Sequence, residues 1–168
     1  MANSKIWLSS PHIGDSEIAY VNEAFDTNWI APVGPHLNRF EEKLSDISNG
    51  HSVAALSSGT AAIHLALVIL GVSDCDEVLC SSLTFSASAN PIVYQRANPI
   101  FIDSEYDTWN MCPNKLEEAI KSRLKVGVKP KAIIVVHLYG MPAKMNEIKA
   151  VASKFEIPVI EDAAEGLG

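Results

Sequence analysis

Four short stretches of this 168-residue chain set polar or aromatic side chains where chemistry could be done. The first is Ser57-Ser58-Gly59-Thr60, just ahead of the apolar run Ala61 to Leu70. A helix start offers free N–H groups and the positive end of a dipole, so hydroxyls and a close-approach glycine there make an anion site. The same residues also suit a plain helix cap, which Ser and Thr favour. They form neither a GxGxxG fingerprint nor a Walker loop. The second stretch is Ser82-Leu-Thr-Phe85-Ser-Ala-Ser. A ring at Phe85 could stack on a planar ligand, or simply fill a core. The third is Glu161-Asp162-Ala-Ala-Glu165, directly after the apolar Ile157-Pro-Val-Ile160. Carboxylates at the end of a buried strand are costly without a partner. A protonated pyridine nitrogen, as in pyridoxal phosphate, is one such partner, because an acid there keeps the ring an electron acceptor. A helix cap by Asp162 or a metal ligand are the others, and no His or Cys cluster lies near enough in sequence to favour metal. The fourth is His137-Leu-Tyr-Gly-Met-Pro, which reads as a turn with a satisfied core histidine or as a further polar contribution to the same rim.

The elements that must position these stretches alternate. Asp15 is placed to cap a helix to about Phe25, with Ile18, Val21 and Phe25 at helical spacing. After the loop Asn28 to Pro35, a second helix carries Leu37, Phe40, Leu44 and Ile47 on one face and closes at Asn49-Gly50. Strands are expected at 52–56, 77–80, 99–102, 132–136 and 158–160. Helices are expected at 59–70, 85–94, 113–125 and 143–155, with Pro91 bending or starting the second of these. Short apolar strands between helices predict an α/β fold with a mostly parallel sheet covered on both faces. In such sheets ligands bind beyond the carboxyl ends of the strands, where all four stretches fall.

Bulk properties narrow the function. Hydrophobic residues make up 48% and charged residues 20%, as in ordinary globular domains. A net charge of −7 argues against a nucleic-acid surface. No apolar run is long enough for a bilayer, and the N-terminus lacks the pattern of a secretion signal, so a cytoplasmic protein without membrane association is expected. Cys75, Cys80 and Cys112 form no CxxC pair and read as reduced thiols rather than a zinc site.

Taken in order, Leu8-Ser-Ser-Pro-His-Ile-Gly, Asn28-Trp-Ile-Ala-Pro, Ser57-Ser-Gly-Thr-Ala-Ala-Ile-His-Leu-Ala-Leu, Thr84-Phe85, Phe101-Ile-Asp-Ser-Glu-Tyr-Asp-Thr-Trp-Asn-Met, His137-Leu-Tyr-Gly and Ile160-Glu-Asp-Ala-Ala-Glu-Gly-Leu-Gly168 resemble the nucleotide-sugar aminotransferases of the DegT/DnrJ/StrS type. Within that family the pattern is similar to enzymes aminating a UDP-4-keto-6-deoxy-N-acetylhexosamine, the UDP-N-acetylbacillosamine type of exopolysaccharide and glycan pathways. The resemblance implies the aspartate-aminotransferase-like (fold type I) large domain and pyridoxal 5'-phosphate as cofactor. Ser58, Gly59 and Thr60 would hold its phosphate. Phe85 would stack on its ring, Asp162 would pair with the ring nitrogen, and Glu165 would stand near the ring hydroxyl. Asn28, Trp29 and Ile30 would lie at the sugar end. A nucleotide sugar and an amino donor, by analogy glutamate, are the implied partners, in a homodimer.

The family's Schiff-base lysine follows the Glu-Asp-Ala-Ala motif, and none of the ten lysines here stands in a matching motif. The chain is therefore expected to be an N-terminal fragment, 1–50 a helical segment and 51–168 a partial cofactor-binding domain, marginally stable and without turnover alone. Two further strands of the family's sheet and its small C-terminal domain are expected downstream. The competing expectations are an aminotransferase or a dehydratase acting at another sugar carbon, and a non-catalytic regulatory module on the same fold.

Overall fold

The computed structural model describes Lys5, Trp7 and residues 11–167. Of the motifs above, Leu8, Ser9, Ser10 and Gly168 lie outside the described residues. The chain divides into two compact units, Met1–Ala55 and Leu56–Gly168.

The first unit holds helices α1 (Glu17–Asp26) and α2 (Pro35–Ile47). The expected cap by Asp15 is not formed. Ser16 takes the N-cap position, and Glu17 reaches back to accept the Gly14 N–H at 2.9 Å, placing a carboxylate at the positive helix end. Both helices end by the same left-handed device. After α1, Asn28 takes φ 58°, its N–H bonds Phe25 O at 3.1 Å, and Trp29 N–H bonds Ala24 O at 2.9 Å. After α2, Asn49 takes φ 58° and Gly50 N–H bonds Ser45 O at 2.8 Å. Asparagine tolerates this conformation, so it serves where glycine is commoner. The expected apolar stripes are helical in spacing, but Ile18, Val21, Phe25, Phe40 and Ile47 are exposed.

The second unit is a parallel four-stranded sheet of β1 (Glu77–Ser81), β2 (Asn98–Ile102), β3 (Ala132–Val136) and β4 (Val159–Asp162), in the order β2-β1-β3-β4. Helices α3 (Gly59–Ile69), α4 (Asn90–Tyr94), α5 (Pro113–Lys125) and α6 (Met145–Lys154) surround it. The two-residue strand period sorts the core. Leu79, Ile133 and Val135 face Leu116, Ile120 and Ile148 of α5 and α6. Val78, Cys80, Ala132 and Ile134 face Ile63, Leu67 and Ile92 of α3 and α4. All five residues of β1 and of β3 are buried, which fits the apolar sequence of β3 and the Val78-Leu-Cys80 centre of β1; buried Glu77 of β1 is paired with Arg123.

Two expectations are corrected. No strand forms at 52–56: a strand exists only through its ladder, and among the described residues nothing pairs with this segment. The expected helix at 85–94 is split. Residues 86–88 make one 3-10 turn, and Pro91 opens α4, where its missing N–H costs nothing.

Candidate functional site

The loops leaving β1, β3 and β4 at their carboxyl ends enclose a cleft of about 370 Å³. It is lined by Leu83, Thr84 and Phe85 after β1, by Val136 to Tyr139 at the end of β3, and by Asp162, Ala164 and Glu165 at the end of β4. This is the rim where parallel α/β sheets hold ligands.

Asp162 sits at the end of β4 and is half-buried. One carboxylate oxygen, Oδ2, accepts the Ser88 hydroxyl at 2.5 Å, and Ser88 Oγ lies 2.7 Å from Thr84 Oγ1. An ionised carboxylate can only accept, so Ser88 spends its single proton on Asp162 and must itself accept from Thr84. Behind this group, the Cys80 thiol is pushed up to about 12, first by burial and then by the Asp162 charge, and stays protonated at neutral pH.

The neighbouring Glu161 serves another layer. Its carboxylate meets Lys149 of α6 at 2.9 Å and His137 at 3.3 Å. Burial raises this carboxyl, but the Lys149 and His137 bonds outweigh it and leave the group below its usual range. Of the two adjacent acids, only Asp162 lines the cleft.

His137 is satisfied, as its turn reading predicts, and also lines the cleft. Nδ1 accepts the Ala143 N–H at 3.1 Å, so Nε2 carries the proton and faces Glu161. Beyond it, Tyr139 takes φ 52°, a costly conformation for a non-glycine residue. The Tyr139 N–H donates to Glu165 Oε2 at 2.7 Å, and buried Asn110 holds the turn from beneath. Asn110 Oδ1 accepts the Leu138 N–H at 2.9 Å and Nδ2 donates to Met141 O at 2.8 Å. Gly140 approaches the Glu165 carbonyl so closely that a Cβ would stand 2.8 Å from its oxygen. The 137–141 and 163–166 turns thus interlock, and Glu165 has one oxygen already engaged.

Phe85 is 79% exposed and Tyr139 69% exposed, both on the cleft. Phe85 is therefore not the core residue its type suggested. Two bare rings beside two carboxylates favour a flat, cationic occupant.

Ser58, Gly59 and Thr60 are not brought into the cleft lining. Ser58 is a helix cap, its Oγ accepting the Ala61 N–H at 3.1 Å. Residues 70–76 link the end of α3 to the start of β1, so α3 runs against the strands and its first turn lies toward their carboxyl ends. Nothing lies within 4 Å of a Cβ placed on Gly59, and among the described residues the Gly59 and Thr60 N–H groups have no acceptor. An anion has room and free donors there.

Asn28, Trp29 and Ile30 lie in the first unit, in the turn that ends α1, where the Trp29 ring covers Gly34. Sequence reasoning missed Ser88, Asn110 and Tyr139. Each stood inside a motif already noticed, but only the fold shows which hydroxyl, amide or ring turns toward the rim.

The chain matches the DegT/DnrJ/EryC1/StrS aminotransferase family over residues 11–168. EpsN of Bacillus subtilis (strain 168), named as a pyridoxal phosphate-dependent aminotransferase, is 54% identical over 99% of this chain and 43% of its own length. GDP-perosamine synthase of Escherichia coli O157:H7 is 41% identical over 94% of this chain and 42% of its own. The crystal structure of NtdA from Bacillus subtilis with bound cofactor PMP superposes with a TM-score of 0.80 at 32% identity, covering 100% of this chain and 39% of that one. The chain spans less than half the length of the curated relatives it matches.

Proposed function

Since the chain belongs to the DegT/DnrJ/EryC1/StrS aminotransferase family, with the α/β fold of fold type I aminotransferases, we propose that it supplies the cofactor platform of a pyridoxal-phosphate-dependent sugar aminotransferase. The observation that carries this reading is the cleft itself, with a half-buried aspartate beneath two exposed rings at the carboxyl rim of a parallel sheet. The cleft offers a carboxylate for a protonated ring nitrogen and rings for the cofactor's face, and the start of α3, outside the cleft lining, offers unpaired N–H groups for its phosphate.

In this reading Asp162 holds the proton at the ring nitrogen, Phe85 covers the ring, and Glu165 stands by the ring hydroxyl with its remaining oxygen. Gly59 and Thr60 hold the phosphate through their N–H groups, and Ser58 fixes the geometry of that helix start. When bound, pyridoxal phosphate supplies an electron sink for the carbon whose amino group changes. Asn28, Trp29 and Ile30 contact the sugar end of a nucleotide-linked keto sugar. The substrate we favour is a UDP-4-keto-6-deoxy-N-acetylhexosamine, with glutamate as donor and exopolysaccharide or glycan synthesis as the use. The intact enzyme is read as a cytoplasmic homodimer, and residues 51–168 as part of its cofactor domain. Among the described residues no lysine lines the cleft, so the 168-residue chain is read as a binder without turnover.

Titration of the chain with pyridoxamine phosphate tests the reading. Phe85→Ala and Asp162→Ala are each expected to weaken binding roughly tenfold, the scale of one charged hydrogen bond or one stacked ring. Equal affinity in all three proteins would reject the site. The substrate is tested by amino transfer from glutamate to the UDP-linked keto sugar in the whole protein carrying this chain. A preference for another nucleotide or sugar carbon would reject the finer assignment.

A further inference from the structure

We propose that Ser88 is a positioning residue that fixes the Asp162 carboxylate in the orientation a ring nitrogen requires. The assignment deepens the cofactor reading and rests on it for its purpose, though its geometry stands alone.

Four observations carry it. Ser88 is fully buried and yet belongs to no strand, so its hydroxyl must find partners within the protein. It finds them across a separation of 74 residues, 2.5 Å from Asp162 Oδ2. The bond's polarity is fixed because a carboxylate can only accept, so Ser88 donates to it and the hydroxyl contact with Thr84 at 2.7 Å has Thr84 as donor, in competition with the Phe85 carbonyl 3.2 Å from Thr84 Oγ1. The 3-10 turn at 86–88 follows the loop that bears Phe85, so one short segment presents both the ring and the hydroxyl.

Asp162 needs this help. It is the last residue of β4, which pairs on one side only among the described residues, and there its other oxygen has only the Ala164 N–H at 3.4 Å. A lone carboxylate at a strand end can rotate. Anchoring Oδ2 from the protein side leaves Oδ1 as the oxygen free to turn toward the cleft. Thr84 polarises the anchor, since hydrogen bonds in a chain reinforce one another. Orientation of a group that binds a ligand by a second residue locked in the fold is a general device for holding productive geometry.

The test uses the 168-residue chain and two isosteric variants, Ser88→Ala and Thr84→Val. The first readout needs no ligand: three-bond couplings report the side-chain rotamer of Asp162. One rotamer is expected in the parent chain, averaging in Ser88→Ala, and a smaller change in Thr84→Val. The second readout is binding of pyridoxamine phosphate carrying ¹⁵N in its ring, with inorganic phosphate as the control. Ser88→Ala is expected to bind the labelled probe roughly tenfold more weakly, with a displaced ring-nitrogen signal, the scale of a lost hydrogen bond to a charged group. Its affinity for inorganic phosphate is expected to be unchanged, which general unfolding could not produce.

A single Asp162 rotamer retained in Ser88→Ala overturns the proposal. So does averaging accompanied by unchanged probe affinity, because the orientation would then not serve the ring. Averaging in the variant, with no probe binding by the parent chain, supports the anchoring and rejects the cofactor reading instead.

Discussion

Removing the side chain of Asn110 should loosen one wall of the cleft while the sheet stays folded. In the native protein this buried amide closes the 137–141 turn at both ends, accepting from Leu138 N–H and donating to Met141 O. Asn110→Ala leaves both backbone groups without a partner. A buried unsatisfied group costs about 1–3 kcal/mol. Leu138 is only half-buried and Met141 is exposed, so water repairs part of the loss. About 2 kcal/mol is left for the pair on that scale, which is a factor of roughly 30 in the opening equilibrium. The positive φ of Tyr139 adds to the tendency to open, since nothing but its neighbours holds it. Hydrogen exchange reads this directly. The Leu138 amide should exchange roughly 30-fold faster in Asn110→Ala, while the β1 and β3 amides change only by the fall in global stability. Asn110→Asp keeps the acceptor for Leu138 but sets a carboxylate against the Met141 carbonyl. It should preserve Leu138 protection and still lower the melting temperature. Unchanged Leu138 exchange in the alanine variant would refute the clamp, since the turn would then be held by His137 and Glu165 alone.

Two further outcomes follow from charge and burial. The Glu105 carboxyl is held down to about 2, chiefly by the Thr108 hydroxyl and then by Lys144. Its stabilisation is complete above the ordinary carboxyl range near 4.5 and is lost as pH falls from there toward about 2. Glu105→Gln should therefore flatten the acid limb of a plot of melting temperature against pH and leave its neutral region lower; an unaltered acid limb would contradict the pairing. Lys144, raised by Asp107 and Glu105, adds stability that persists below its ordinary range and is lost only in strong alkali, so it does not contribute to that limb. Among the thiols, exposed Cys75 should alkylate first at neutral pH. Buried Cys80, its thiol pushed up to about 12, should resist until the chain unfolds, and mass mapping that found Cys80 modified early would contradict its environment.

The sequence made the alternation of strands and helices legible because β3, buried on both faces, is apolar throughout and β1 is apolar at its centre, Val78-Leu-Cys80. It was misleading at 52–56, where a similar composition meets no neighbouring strand among the described residues. Local propensity cannot report the presence of a ladder partner. The helix ends were partly legible: Asn49-Gly50 marked one, but Asn28 was read as the start of a loop and, by resemblance, as a sugar contact, and not as the left-handed end of α1. At the site, residue types after strand ends pointed to the rim where the cleft lies. They left open whether Ser58 caps the helix, which it does, and whether Phe85 fills the core, which it does not. Ser88 and Asn110 were beyond sequence reasoning because their partners lie 74 and 28 residues away.

The pleat of β4 sends two consecutive carboxylates to different duties, Glu161 to the lysine of α6 and Asp162 to the hydroxyl chain and the cleft. A slip of β4 by a single position would bring Glu161 to the hydroxyl chain and set Ile160 opposite the lysine. Exchanging the two acids would conserve the charge count, yet the longer glutamate would crowd the hydroxyl and the shorter aspartate would fall short of the lysine. The order Glu-Asp is thus read as a length code. Reversing the pair to Asp-Glu, with composition untouched, is the smallest edit that would spoil both layers together.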